Sequence, residues 1–427
     1  LIIDYNNCVL KNVRKFDLIN KKYNSIIIGG GAAGLMAAIT AADMGKNVLI
    51  LERNDRLGKK LLITGKGRCN VTNNCTLDEF MANIPSNNKF LYSAYNQFNS
   101  QDTMDFFEHL GVPLKTEHGN RVFPVSDKAQ DIVFALERAC LDRGITIKNA
   151  RVQALIIENS CIKGVKCENG EFYGDSVLVA TGGKSYPKTG SDGDGYKFAE
   201  QAGHTITKLK PSLVPLVSEE GYCAEMMGLS LKNVTLNLVD KAKNKTIYTE
   251  LGEMLFTHFG VSGPLVLSCS SHISKMERGR YKILIDLKPA LDEKTLDARI
   301  LRDFALVPNR LFANSLSKLL PSKMIPIIIT LMDIDEKPVN SVTKEERQRL
   351  IGLLKSFPIT IKDFRPISEA IVTGGGVKIS EISPKTMESK LVSGLYFAGE
   401  VMDLDAYTGG FNLQIAFSTG YCAGLNM

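Results

Sequence analysis

The chain has 427 residues, 44% hydrophobic and 23% charged, a composition that fills two or three ordinary globular cores. Its 52 basic residues outnumber its 46 acidic ones, and half of the net +6 lies in residues 1–22, where Lys11, Arg14, Lys15, Lys21 and Lys22 meet only Asp4 and Asp17. The body is therefore nearly balanced, which argues against an extended nucleic-acid surface made of clustered Lys and Arg.

Residues 1–22 lack the apolar core and small-residue cleavage site of a secretory signal and are expected to form an N-terminal extension. Ile26–Ile28 reads as a buried strand ending in Gly29-x-Gly31-x-x-Gly34; a small-residue helix follows, and Val48–Leu51 is a second strand closing on Glu52. Gly29 permits the tight turn, Gly31 lets the backbone approach a pyrophosphate, and Gly34 brings the helix close to the sheet. The helix N-terminus favours the phosphates, and Glu52, eighteen residues past Gly34, is placed to accept hydrogen bonds from ribose hydroxyls. These parts together predict dinucleotide binding.

Leu57–Thr76 is polar and glycine-bearing, followed by helical patterns over Leu77–Leu110 and Asp127–Arg143. Strands are expected at 145–147, 152–157, 162–167 and 171–173, and a buried one from Ser176 runs into Ala180-Thr181-Gly182-Gly183. From about Pro187 the texture changes: Val234–Val239 and Tyr281–Leu287 alternate like half-buried antiparallel strands. Asp292–Ser356 turns helical, Ile371–Ile379 returns to strand, Gly394–Glu400 is a buried strand entering glycine, and a helix over Leu413–Leu425 follows. The longest apolar stretch, Met324–Met332, is broken by Pro326 and too short to cross a bilayer. Nine scattered cysteines without a CxxC pair suggest reduced thiols in a cytoplasmic protein, with neither a disulfide framework nor a metal site.

Three strands end in small residues, at Gly29, at Ala180–Gly183 and at Ala398-Gly399-Glu400. Such ends make sense if they converge on one ligand. In this reading the third turn serves the ribityl and pyrophosphate end of a flavin. Gly409-Gly410-Phe411-Asn412 then leads into a helix whose N-terminus points at the flavin pyrimidine edge and favours the negative charge of the reduced ring. Gly374-Gly375-Gly376 is followed by a strand-like pattern rather than a helix and an acid, so no second dinucleotide fold is expected. A nicotinamide donor would then bind only transiently.

Four strings carry a resemblance: Gly65-Lys-Gly-Arg-Cys-Asn-Val-Thr-Asn73, Ala180-Thr-Gly-Gly-Lys-Ser-Tyr-Pro187, Phe256-Thr-His-Phe-Gly-Val-Ser-Gly-Pro264, and Gly399-Glu-Val-Met-Asp403 with Thr408-Gly-Gly-Phe-Asn412. From Tyr23 to Gly424 the chain resembles the HI0933/YhiN-like (BaiN-like) family of NAD(P)/FAD-dependent oxidoreductases. The resemblance implies an α/β fold: a discontinuous, glutathione-reductase-like FAD-binding Rossmann domain, with an inserted β-barrel-like domain that carries a small helical subdomain and roofs the flavin. The expected boundaries are 1–22 for the extension, 23–190 and 371–427 for the FAD domain, 191–290 and 357–370 for the β domain, and 291–356 for the helical subdomain. The expected FAD-binding residues are Gly29, Gly31, Ala32, Ala33 and Gly34; Glu52 and Arg53; Lys60, Gly67, Arg68, Cys69 and Asn70; Val152; Ala180, Thr181 and Gly182; and Gly399, Glu400, Gly410, Asn412 and Gln414.

Lys59, Lys60, Lys66 and Arg68 place four cations within ten residues, as contacts for a pyrophosphate or substrate anion, or as a solvated basic loop. Arg68, Asn70, His258 and Tyr407 are the catalytic candidates, with His258 a possible proton donor as hydride arrives and Tyr186 a further neighbour of a flavin turn. Cys69 lacks a closely spaced thiol, Cys75 being six residues on, so packing near the flavin is expected rather than a redox relay. Gly190–Tyr196 is similar to the TGDG turn of fumarate-reductase-like flavoproteins, or simply begins a helix. The expected activity is reduction of an enone-like small molecule by NAD(P)H through flavin N5. The alternatives are a flavin oxidase of a small amine or carbonyl compound using O2, and a flavin-bearing tRNA-modifying or RNA-binding protein. No metal, membrane or nucleic-acid partner is expected.

Overall fold

The computed structural model describes residues 22–427, so the expected extension, save Lys22, lies outside the described residues. The chain divides into two units, one made of the described residues up to Ser212 with Ile367–Met427, the other of Leu213–Pro366.

The first unit is built on strands β1 (Tyr23–Ile28), β2 (Val48–Glu52), β3 (Thr72–Asn73), β4 (Leu114–Glu117), β5 (Arg121–Pro124), β6 (Thr146–Asn149), β7 (Val152–Glu158), β8 (Cys161–Cys167) and β9 (Gly170–Val179). In the main sheet β6, β2, β1 and β9 lie side by side and parallel, and a later strand, Leu395–Phe397, pairs with the far side of β9. Continuous apolar runs suit this layout, because a parallel sheet is covered on both faces: every residue of β2 is buried and only Asn24 of β1 is exposed. The two strands expected at 171–173 and from Ser176 are one. Up to Tyr173, β9 pairs antiparallel with β8; from Gly174 it runs parallel to β1. Gly174 and Asp175 interrupt the apolar pattern without interrupting the strand. Helix Ala32–Asp43 follows β1, and the final helix, Phe411–Asn426, lies close against it: a Cβ on Gly420 would fall 2.4 Å from the Ala33 carbonyl oxygen, and one on Gly424 2.6 Å from that of Ala37.

In chain order the next strand, β10 (Lys210–Ser212), still belongs to the first unit. The second unit is a closed barrel in the order β11 (Leu216–Ser218), β14 (Gly260–Ser262), β13 (Lys245–Thr257), β12 (Ser230–Asp240), β15 (Tyr281–Asp286) and β16 (Phe357–Phe364). Alternation is clean in β15, where Tyr281, Ile283 and Ile285 point inward. The first nine residues of β13 are exposed or half-buried, which hides that strand from a hydrophobic-pattern reading. Helices Glu293–Ala305, Ile325–Met332 and Lys344–Lys355 fill the helical stretch, and Leu296, Ile328 and Leu350 share one buried cluster with Leu236, Ile283 and Phe357 of the barrel.

The chain returns to the first unit in β17 (Val372–Gly374) and β18 (Leu395–Phe397). Val377–Ile379, expected as strand, contributes only isolated bridges at Val377. The units meet in sequence at 212/213 and 366/367, where the sequence pattern placed the changes at 190/191 and 370/371. Two features keep 191–212 with the first unit: Tyr196, Phe198 and Ala199 join its core, and β10 pairs antiparallel with β17, Ser212 opposite Val372. No helix of the described residues is long and apolar enough to cross a membrane.

Candidate functional site

Because β1, β9 and β18 are adjacent and parallel, their three glycine turns emerge at one edge of the sheet. A cleft opens there, outside the carboxyl ends of the strands, where ligands bind in such sheets. Gly29, Gly31, Ala32, Ala33, Glu52, Arg53, Lys60, Val152, Ala180, Thr181, Gly182, Gly399, Glu400 and Asn412 all line it.

Steric demands explain the glycines. Gly29 has φ +104°, and a Cβ on it would sit 2.6 Å from the Ala180 carbonyl oxygen; one on Gly34 would sit 2.0 Å from that of Gly29. Gly31 differs, since a Cβ there would meet nothing within 4 Å and would project into open space. That space lies at the start of helix Ala32–Asp43, which has no side-chain cap and no acid in its first turn, so its N–H groups are left for an anion. At the end of β9 the Thr181 hydroxyl oxygen is buried without a hydrogen-bond partner. An open phosphate turn and an orphaned hydroxyl are what a pyrophosphate-bearing cofactor such as FAD would satisfy.

Glu52 is buried and held on both sides: Oε2 accepts from the Gly30 N–H at 2.7 Å, and Oε1 from the backbone N–H and side-chain Nδ2 of Asn54, each at 2.7 Å. A carboxylate offers about four acceptor sites, so capacity remains for a ribose hydroxyl. Next to it, Arg53 pairs with Asp192 and Asp194, and Arg151 with Asp194 at 2.8 Å.

Lys60 and Glu400 form an ion pair in the cleft wall. Ser185 accepts from Lys60 Nζ at 2.7 Å and donates to Glu400 Oε1 at 2.8 Å, while the Thr373 N–H donates to the same oxygen at 2.9 Å. Burial alone would raise the Glu400 carboxyl, but the Lys60 charge and these hydrogen bonds hold it below the usual carboxylate range.

The Gly65–Asn73 loop is kinked by left-handed residues, Gly65, Lys66, Gly67 and Cys69, of which Gly65, Lys66 and Gly67 are exposed and Cys69 is buried. None of Gly67, Arg68, Cys69 and Asn70 is among the cleft-lining residues. Arg68 is held by Glu117 and Asp127 and lies 4.0 Å over the Phe123 ring. The Cys69 thiol is fully buried and pushed up to about 12 by burial, and Cys75 to about 11, so neither supplies the thiolate that disulfide exchange requires. Asn70 Oδ1 is buried without a hydrogen-bond partner.

Gly410 caps the final helix in a left-handed conformation, φ +103°. Asn412 spends its side chain locally, accepting from the Ala406 N–H at 2.9 Å and donating to the Ala406 carbonyl at 2.7 Å. Gln414 is fully buried beneath this turn. Half-buried Tyr407 donates its backbone N–H to the Asn83 carbonyl, and Tyr186 is exposed with φ +50°. His258 is exposed on the β13–β14 turn of the barrel unit, edge-on to Phe259.

Sequence reasoning passed over Asn54, Arg151, Thr189, Ser191 and Asp194, which also line the cleft. The Gly190–Tyr196 string held the signal: its first residues line the cleft and helix Asp194–Gln201 begins within it. The triple glycine 374–376 is explained by packing, since a Cβ on Gly375 would fall 2.4 Å from the Lys208 carbonyl oxygen and one on Gly376 2.6 Å from that of Val401.

A family model described as the HI0933-like protein Rossmann domain matches residues 23–426. Among curated proteins, the chain is 33% identical to a 3-dehydro-bile acid delta(4,6)-reductase of Clostridium scindens, over 93% of this chain and 97% of that one. It is 32% identical to a ribosomal RNA dihydrouridine synthase of Escherichia coli, over 94% and 98%, and 31% identical to one of Haemophilus influenzae, over 94% and 98%.

Proposed function

The chain belongs to the HI0933-like Rossmann family and is an FAD-dependent oxidoreductase, and from this premise we propose that it reduces a carbon–carbon double bond conjugated to a carbonyl in a small enone-like molecule, with NAD(P)H as electron donor. The observation that carries the reading is the 33% identity, over 93% of the chain, to a relative named for reduction of a 3-oxo compound at delta(4,6). Bound FAD would supply hydride from N5 to the β-carbon of the alkene, and a proton must reach the α-carbon to complete the reduction.

The chain's own residues bind and position. The first-turn N–H groups of helix Ala32–Asp43 receive the pyrophosphate, Glu52 takes a ribose hydroxyl, and the uncapped start of the final helix lies along the cleft. Asn70, with its orphaned amide oxygen, is proposed as a ligand contact. Arg68 is assigned to holding the loop, because two carboxylates already occupy its guanidinium.

A second reading keeps the chemistry and changes the substrate. Uracil also has a carbon–carbon double bond conjugated to a carbonyl, and the two relatives named for ribosomal RNA dihydrouridine synthesis are nearly as similar as the first. The balanced charge of the body favours the small molecule.

An anaerobic titration separates these outcomes. The visible flavin bands of purified protein should bleach with NADH or NADPH and return on adding a 3-oxo-4,6-diene steroid. Bands that resist both nicotinamides would remove the proposed donor. If the steroid leaves the reduced protein unchanged while ribosomal RNA gains dihydrouridine by nucleoside mass spectrometry, the second reading replaces the first. Rapid peroxide formation with an amine or carbonyl compound would make the protein an oxidase.

A further inference from the structure

We propose that Gln414 is a positioning residue, which seats the first turn of the final helix against β3 and so sets how strongly the site prefers reduced over oxidised FAD. The inference rests on FAD occupying the cleft and is independent of which substrate is reduced.

Gln414 is fully buried and spends its whole amide on the protein. Its Oε1 accepts from Thr72 Oγ1 at 2.6 Å and Thr103 Oγ1 at 2.8 Å; its Nε2 donates to the Phe98 carbonyl at 3.1 Å and to Ser418 Oγ at 3.0 Å. Two acceptor and two donor positions are all that a carboxamide has, so none remains for a ligand. The partners come from β3, from helix Ser100–His109, from the Phe98 segment and from the next turn of the final helix itself. Ser100 Oγ extends the network, lying 3.3 Å from Thr72 Oγ1 and 3.1 Å from the Tyr95 hydroxyl.

The apolar side of the same helix turn is fixed as well. Phe411 packs at 6.2 Å from the Phe80 ring, and Phe80 stacks on Tyr95 at 4.1 Å. Between these anchors the backbones touch, since a Cβ on Gly410 would lie 2.3 Å from the Thr72 carbonyl oxygen. Held on both sides, the helix start has one seat.

That seat matters because Asn412 and Leu413 line the cleft, and this end of the helix has neither a side-chain cap nor an acid in its first turn. It presents a partial positive charge that falls off within one turn. A reduced flavin carries more negative charge than an oxidised one, so a closely seated helix end favours the reduced form. Loss of the Gln414 bonds cuts the side-chain ties of the helix start to Thr72 and Thr103, whose hydroxyls fall back on Ser100 Oγ at 3.3 Å and the Asn99 carbonyl at 3.1 Å, and the turn can then relax away from the cleft.

The test is a redox titration of FAD-loaded protein carrying Gln414→Met, which keeps length and removes every polar contact. Reduced FAD should be bound about tenfold less tightly relative to oxidised FAD, a midpoint potential about 30 mV more negative for the two-electron couple. An unchanged potential in FAD-bound Gln414→Met overturns the proposal, whatever happens to thermal stability. Should that variant fail to fold, Thr103→Val removes one of the two Oε1 donors at constant shape. It should shift the potential in the same direction by a smaller amount, and no shift there is equally fatal.

Discussion

The Lys60–Glu400 pair joins residues 340 positions apart, and Glu400 keeps its charge in a cleft wall where burial opposes it. Glu400→Gln leaves the Lys60 ammonium without its carboxylate. Both side chains keep some exposure, 26% and 18%, so the expected loss is about 2–3 kcal/mol, below that for fully buried pairs. The sign with pH follows from the lowered folded pKa. The stabilisation is fully present above the unfolded carboxylate pKa and fades as pH falls through the folded one, so wild type and variant should converge in urea midpoint in acid. Asp405 runs the other way. It is buried against Ser212 Oγ at 2.6 Å, and burial raises its pKa, with Asp403 and Glu400 adding to the rise. Its contribution is greatest below the unfolded pKa and declines as pH rises through the raised folded one. Asp405→Asn, which still accepts from Ser212, should therefore gain on wild type in urea midpoint between pH 4.5 and pH 8. An equal loss at both pH values would mean that ionisation is not what the buried site opposes.

Among the elements, the close pairing of helix Ala32–Asp43 with the final helix depends on Gly420 and Gly424. At Gly420 the contact atom of a new Cβ is a backbone oxygen 2.4 Å away, which cannot rotate aside. Gly420→Ala must push the helices apart, and both contribute residues to the cleft, Ala32 and Ala33 from one and Asn412 from the other. The expected cost is about 1–3 kcal/mol with a loss of FAD affinity, read from thermal unfolding and from FAD fluorescence on dilution. Retained affinity would show that the cleft tolerates separation of the two helices. The contrast with Gly29–Gly34 shows what sequence can reveal. A phosphate turn is legible because its steric reasons lie within a few residues, as at Gly34 against Gly29. The 420–424 spacing gives no hint of its partner helix, and the Gln414 network joins residues from Thr72, Phe98 and Thr103 that no local pattern connects. Likewise Arg68 reads as a free cation until Glu117 and Asp127 are folded beside it.

For the whole molecule, the interruption of one α/β unit by a β unit was legible from the change of texture after Pro187, but its seams were not. A short ribbon such as β10 has no pattern of its own, and only its pairing with β17 assigns it. The pairing has a physical consequence. In the barrel unit the first and last strands, β11 and β16, are antiparallel neighbours, with Leu216 opposite Phe364 and the Arg365 N–H bonded to the Pro215 carbonyl, so the two ends of the segment lie together. In the first unit Ser212 lies opposite Val372, so the broken ends there are close as well. Each unit also has its own buried cluster, and every residue lining the cleft belongs to the first. An insertion with adjacent ends and a complete core should be separable. Residues 213–366 expressed alone should unfold in one cooperative transition and take up no FAD. The chain with that segment replaced by a short glycine-rich link between Ser212 and Ile367 should still bind FAD. If the isolated segment keeps far-UV but loses near-UV circular dichroism, its core is not self-sufficient. If the shortened chain folds yet gives no flavin bands, the cleft residues of the first unit are not enough to hold the cofactor.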